Sequence, residues 1–153
     1  MSTPAPDGVR VETLHNGTIW RVILATPRAN ILDGTKVDAL TKIFVEAAGS
    51  PDLKAIILEA DGPHFSFGAS VEEHLPGAYP AMLARFHGVL MAMLDSAVPV
   101  LAAVRGQCLG GGLELVALCH RVFATRDARL GQPELVLGVF APVASIVLAD
   151  RVG

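Results

Sequence analysis

Residues Arg105–His120 read RGQCLGGGLELVALCH. Three consecutive glycines, Gly110, Gly111 and Gly112, stand before an apolar run, and one carboxylate, Glu114, is set into that run. Glycine loses more backbone freedom on folding than any other residue, and an acid in an apolar segment gives up hydration. Both features make sense where something must approach the backbone closely. The apolar stretch Pro99–Val104 just upstream reads as a strand. It delivers the chain to a loop at its carboxyl end, where open α/β sheets hold their ligands. The helix that follows is expected to begin near Leu113. The first N–H groups of a helix have no internal partner and carry the positive end of its dipole. The segment therefore suits an anion, or an oxygen that becomes anionic during a reaction. A triphosphate-binding loop ends in Gly-Lys-Ser/Thr, whereas Gly112 is followed by Leu113-Glu114. The dinucleotide pattern GxGxxG is also absent. A hole for a developing oxyanion, with a carboxylate close by for proton transfer, fits better.

Working outward, Val9–Leu14 alternates, Asn16-Gly17 is a hairpin signal, and Thr18–Leu24 is rich in strand formers. The loop Pro27-Arg28-Ala29-Asn30 precedes a helix marked by Val37, Leu40, Phe44 and Ala47 and ended by Gly49-Ser50-Pro51. Ala55–Leu58 reads as a short buried strand, and Met82, Phe86, Val89, Leu90 and Met93 mark a second long helix. A short strand around Val122–Ala124 and a last helix over Pro142–Val152 complete the reading. The order strand, loop, helix, repeated, predicts parallel strands with crossovers, an α/β domain over residues 9–153 behind a frayed tail at residues 1–8.

The chain has 153 residues, 52% of them hydrophobic and 18% charged, which is ample for one core and rich for a monomer of this size. A buried parallel sheet or a surface covered by another subunit accounts for the excess. The net charge of −3 is scattered, with no basic stripe, so nucleic acid is not an expected partner. No apolar run approaches the roughly 18 residues of a membrane span. The start MSTPAPDG lacks the marks of an export signal, and Cys108 and Cys119 form no disulfide framework. The expectation is a cytoplasmic protein with two reduced, packed thiols.

Singly, the acids are ordinary. Glu114 falls in a helix's first turn, and Glu134 follows Gln132-Pro133, a common helix start. Together they carry more weight, because each adjoins a glycine- or proline-shaped turn with no cation beside it in sequence. The five histidines show no metal-ligand spacing, Ser66 and Ser70 lack a GxSxG elbow, Glu72-Glu73-His74 reads as a solvated helix face, and Met82, Met91 and Met93 read as core.

RGQCLGGGLE followed by LGQPELVLG resembles the enoyl-CoA hydratase/isomerase family, the crotonase fold. HFSFGASVEEHLP resembles that family's F-x-x-G-A-D segment, and PRANILD its P-x-x-N-x-L stretch. The similarity runs in order from about Trp20 to Gly138. It implies a spiral of ββα units. It also implies an oxyanion hole from the N–H groups of Ala69 and Gly111, and two acids, Glu114 and Glu134, that hold and activate water. The resemblance places the CoA moiety against Arg28 and Ala29 and the backbone at Ser66, Phe67 and Gly68, with Gly110 and Phe140 also on the substrate side. Retention of both acids favours hydration of a conjugated enoyl- or dienoyl-CoA thioester. CoA is then part of the substrate, and neither cofactor nor metal is implied.

FSFGASVEEHLP, RGQCLGGGLEL and LGQPELVLGVFAP resemble the branch whose substrate is a cyclohexadienoyl thioester of anaerobic aromatic breakdown, and two departures from ordinary enoyl-CoA hydratases support that resemblance. Ser70 replaces the usual Asp, and Val139–Ser145 replaces a glycine-rich stretch, which reshapes the acyl pocket for a ring. A straight-chain hydratase or isomerase of the same family is the alternative. Family members are longer, and their carboxyl-terminal helices complete the pocket and build trimers or hexamers. The chain stops at Gly153 as a helix finishes. A non-catalytic fragment that associates with full-length subunits is therefore a third expectation.

Overall fold

The computed structural model describes residues 6–26, 28–138 and 140–152, and of Leu137 the backbone alone. Residues 1–5 of the expected tail, Pro27 of the Pro27–Asn30 loop and Val139 of the expected acyl-pocket stretch lie outside the described residues, as does Gly153. Gly8, expected in the tail, already belongs to the fold: it is buried, and its carbonyl accepts the Ala25 N–H at 2.8 Å.

The expected hairpin forms between β1 (Val9–Leu14) and β2 (Ile19–Leu24), antiparallel with Val11 opposite Val22. His15, Asn16 and Gly17 turn it with φ of 50°, 59° and 86°, a left-handed run that Asn and Gly tolerate. Helix α1 (Gly34–Ala48) starts three residues before its first apolar marker, because the Asp33 side chain accepts the Lys36 N–H at 2.9 Å and caps it. Next come β3 (Ala55–Ala60), a 3₁₀ turn (Glu72–His74), α2 (Tyr79–Asp95) and β4 (Val100–Val104). Then follow β5 (Gln107–Leu109), α3 (Gly111–Leu118), β6 (Arg121–Ala124), β7 (Arg129–Gly131), a second 3₁₀ turn (Pro133–Leu137) and α4 (Pro142–Val152).

The main sheet has the order β1-β2-β3-β4-β6, and every pair after the hairpin is parallel, as the alternation of elements predicts. Each main-sheet strand from β3 onward is followed by a short extended piece that stacks on its neighbour. Ser66 bridges Cys108 of β5, and β5 pairs with β7, both in parallel. A helix or 3₁₀ turn then returns the chain, so the path is a spiral of ββα turns. Three-residue strands such as β5 and β7 are too short to show a period, which is why sequence reading passes over them.

Ile56, Leu58 and Ala60 of β3 and Val100, Ala102 and Val104 of β4 are buried on one sheet face, in a core shared with Leu40 and Phe44 of α1 and Phe86 and Val89 of α2. The other face carries charge near β1–β3: Arg21 pairs with Glu12 at 2.6 Å and with Glu59, and Arg10 with Asp61 at 2.9 Å. These pairs are half-exposed and add little stability, in the range of about 0–1 kcal/mol each. Toward the other edge Phe123 of β6 is exposed on that face and Val122 on the opposite one, and Val136, Ile146 and Val152 are exposed as well. The hydrophobic excess thus has both destinations, a buried sheet face and uncovered apolar surface. Of the three methionines expected in the core, Met82 and Met93 are buried but Met91 is 56% exposed, on the outer side of α2. Among the described residues, no helix is long and apolar enough to cross a membrane.

One buried side chain ties the loops at the carboxyl ends of β2 and β3. Asn30, at φ 46°, accepts the Thr26 N–H at 2.9 Å and donates to the carbonyls of Asp61 and His64 at 3.0 and 3.1 Å. The buried Lys36 ammonium braces the same loop, donating to Thr26 Oγ1 and the Ile31 carbonyl, both at 2.6 Å. Burial lowers its pKa, with Asp33 opposing the shift. Asn30→Ala strands three main-chain groups, each worth about 1 kcal/mol. A loss of about 3 kcal/mol is therefore expected in urea unfolding, and a loss below ~1 kcal/mol would show that the loops hold without it.

Candidate functional site

The site grows from two backbone N–H groups. Leu32 and Ala69 form an isolated parallel bridge in which the Leu32 N–H donates to Gly68 O at 2.9 Å and the Ser70 N–H to Leu32 O at 3.3 Å. In such a bridge the middle residue's own N–H points away from its partner strand, which frees that of Ala69. Gly111 opens α3, so its N–H has no intrahelical acceptor. Among the described residues, neither N–H finds an acceptor. The two lie side by side because no side chain separates them. A Cβ on Gly68 would stand 3.5 Å from Gly111 N, and one on Gly111 would stand 3.6 Å from Ala69 N. Gly68 and Gly110 also hold φ of 95° and 52°, a region that residues with a Cβ rarely adopt.

Helix α3 begins at Gly111, two residues before the expected start, and its first turn carries Glu114 inward. Glu114 is 6% exposed, and its Oε1 accepts the N–H groups of Val143 at 3.1 Å and Ala144 at 2.9 Å. An acid on one helix thus caps the start of another, α4. Burial raises the Glu114 pKa above the usual carboxylate range. The Ala144 N–H opposes that shift, the charge of Glu134 adds to it, and the Val143 N–H opposes it further. Glu134, in the turn Pro133–Leu137, lies against Gly110, where a Cβ would collide with its Oε1. Its Oε2 is buried and has no hydrogen-bond partner among the described residues.

A cavity of about 440 Å³ joins these groups: Ala69, Gly111, Glu114 and Glu134 line it together with Phe86 of α2 and Phe140. A smaller cavity of about 150 Å³ adjoins it, lined by Phe67, Gly68 and Pro133, and shares Ala69, His74 and Glu134 with the first. Of the residues singled out in the sequence, these two cavities gather Ala69, Gly111, Glu114, Glu134, Phe67, Gly68 and Phe140, while Gly110 backs Glu134. Arg28 is exposed and Ala29 half-buried; they line neither cavity, although the Ala29 carbonyl accepts the Phe67 N–H at 3.0 Å. Ser66 departs from the expectation. It is fully buried, its hydroxyl donates to Asn30 O at 2.8 Å and accepts from the Gly68 N–H at 3.0 Å, and its own N–H and carbonyl are bonded to Gln107 and Leu109. It shapes the Gly68 turn and presents nothing to a ligand. Cys108 is fully buried, and burial pushes its thiol up to about 12, as a packed thiol requires.

Glu72-Glu73-His74 is largely solvated, as expected, with Glu72 and His74 exposed and Glu73 half-buried. It is a 3₁₀ turn in which Glu73 accepts the Gly34 N–H at 2.9 Å and His74 lines both cavities. Met82, Leu83, Phe86 and Tyr79 of α2 also wall the larger cavity. A helical period marks such residues as inward-facing but does not separate a cavity wall from a core.

The profile of the enoyl-CoA hydratase/isomerase family matches residues 15–153. The chain is 50% identical over 149 residues to a cyclohexa-1,5-dienecarbonyl-CoA hydratase of Thauera aromatica, an alignment that covers 97% of this chain and 58% of that protein. It is 36% identical to a probable enoyl-CoA hydratase of Bacillus subtilis, covering 86% of this chain and 48% of the relative. The crystal structure of an enoyl-CoA hydratase of Mycobacterium smegmatis superposes with a TM-score of 0.89 at 28% identity, over 95% of this chain and 58% of that one. The chain thus spans about half the length of the proteins it matches, and the spiral described above is theirs.

The raised pKa of Glu114 has a measurable consequence. A carboxyl that holds its proton more tightly when folded loses stability as pH rises from the ordinary carboxylate range through its raised folded value. Glu114→Gln keeps an oxygen for the two α4 N–H groups and carries no charge. It is expected to gain stability relative to the parent chain as pH rises from 4 to 8, while Glu114→Ala loses about 1 kcal/mol from the missing cap. Thermal melts across that range decide, and parallel pH curves for the parent and the Gln variant would contradict the account.

Proposed function

Because the chain belongs to the enoyl-CoA hydratase/isomerase family, we propose that it forms the catalytic core of a hydratase for conjugated enoyl- or dienoyl-CoA thioesters, with a cyclohexadienecarbonyl thioester as the acyl group. The observation that carries this reading is the joint position of Glu114 and Glu134 on one cavity with the unpartnered N–H groups of Ala69 and Gly111. The 50% identity to the Thauera aromatica enzyme supports the cyclic acyl group, as does a cavity of about 440 Å³ walled by Phe86, Met82 and Phe140.

In the proposed reaction the thioester oxygen accepts hydrogen bonds from Ala69 and Gly111. As water adds to the conjugated double bond, negative charge moves onto that oxygen, and donors already in place lower its energy without having to reorganise. The dipole at the start of α3 acts in the same sense. Glu114 and Glu134 share the water. Burial, and with it the charge of Glu134, raises the Glu114 pKa, and the proposed cycle starts with one proton on the pair. One carboxylate takes a proton from water as the water oxygen bonds to carbon, and the other gives its proton to the second carbon of the former double bond. The pair ends with one proton, as it began. The CoA portion leaves by the Phe67–Gly68 side, past the smaller cavity. The exposed apolar residues on α4 and the Pro133–Leu137 turn support an assembly of several copies.

The test is to incubate the chain with cyclic dienoyl- and straight-chain enoyl-CoA thioesters and follow loss of the conjugated-thioester absorbance. Hydration is expected with both, faster with the ring. Glu134→Gln is expected to lower the rate by ~10²–10⁴ through loss of acid–base catalysis while thioester binding stays within about threefold. Full turnover in that variant would refute the assignment, and a preference for the straight chain would refute the ring.

A further inference from the structure

His74 stands outside the amide pair and the two acids, yet it lines both cavities at the place where they share Ala69 and Glu134. It closes the 3₁₀ turn Glu72–His74, and its Nδ1 lies 2.7 Å from the carbonyl oxygen of Ser70. A carbonyl oxygen can only accept, so Nδ1 carries the hydrogen and donates it. In the neutral ring this fixes the tautomer, leaving Nε2 with a lone pair and no hydrogen. The same bond anchors the ring to the backbone that presents Ala69. Met82, Leu83, Phe86 and Phe140 make the surrounding wall apolar, and the other neutral polar side chain lining the larger cavity is Tyr79.

An acceptor anchored in this way meets the two sides of a hydration differently. An unsaturated or saturated acyl carbon offers it no donor, and covering Nε2 with such a group strips its water without replacement. A newly formed hydroxyl offers a donor. We propose that His74 is a specificity-determining residue whose Nε2 accepts a hydrogen bond from the hydroxyl of the hydroxyacyl thioester, so that the site distinguishes hydrated from unhydrated acyl groups. The inference rests on the hydratase reading above and adds to it a residue and the ligand group it recognises.

Two variants separate this role from packing. His74→Asn keeps a side-chain N–H near the position of Nδ1, able to donate to Ser70, and has no atom at Nε2. His74→Gln restores a polar atom near Nε2. Calorimetric titration would use a hydroxyacyl-CoA and a saturated acyl-CoA thioester of the same ring skeleton, in a Glu134→Gln background so that the hydroxyl is not eliminated. His74→Asn is expected to weaken the hydroxyacyl ligand ~3- to 10-fold, the worth of one hydrogen bond, and to leave the saturated ligand within about twofold. His74→Gln is expected to recover part of the loss. Equal losses for both ligands, no loss for either, or the same selective loss in Tyr79→Phe but not in His74→Asn would each overturn the proposal. If the chain with His74 intact binds neither thioester, the hydratase reading falls and this inference falls with it. If it binds both and His74→Asn binds both as well, only the inference falls.

Discussion

The arrangement depends on a close backbone approach between two segments far apart in sequence, the Gly68–Ala69 turn and the Gly110–Gly111 start of α3. A side chain at Gly68 would press to 3.0 Å from the Leu109 carbonyl oxygen, and one at Gly112 to 2.8 Å from Ser66 Cβ. The glycines lose conformational entropy on folding, and in return two N–H groups stand together with no protein acceptor among the described residues. The parallel bridge from Leu32 aims one of them and the missing turn before α3 exposes the other. The hole is therefore a consequence of secondary structure and needs no side chain of its own.

The acids are tied to the fold in the same economical way. Glu114 is both a member of the site and the cap of α4, so the protonation of the cavity and the seating of α4 are thermodynamically linked. Glu134 is placed by a proline-initiated 3₁₀ turn against Gly110, and its buried Oε2 has no hydrogen-bond partner among the described residues. A buried carboxylate oxygen without a partner is costly in a purely structural role, at about 1–3 kcal/mol or more for a charged group, and it is intelligible where a water or a reacting group belongs.

Much of this was legible in the sequence. Alternation and helical spacing placed the hairpin, α1, α2, β4 and α4, because those elements are long enough to show a period. The glycine triplet with Glu114, and Glu134 after Pro133, stood out because both combinations are expensive unless used. The short strands β5 and β7 carry no periodic signal. Ser66 entered the expected site through the family resemblance, but only the fold reveals that its hydroxyl is consumed by Asn30 and Gly68. His74 is solvated, as its acidic neighbours suggest, but its place beside the cavities depends on a 3₁₀ turn held by the contact of Glu73 with the start of α1. Asn30, which ties the loops after β2 and β3, was marked only as the Asn of the P-x-x-N-x-L stretch, and its bonds to Asp61 and His64 depend on a fold that brings those loops together.

The central claim is that the N–H groups of Ala69 and Gly111 polarise one thioester carbonyl. Difference infrared spectroscopy of the chain with a saturated acyl-CoA thioester, labelled with ¹³C at the carbonyl, reads that directly. Two converging donors predict a carbonyl stretch at lower frequency than that of the free thioester in water. A band at the free frequency, with the ligand shown to be bound, would contradict the account.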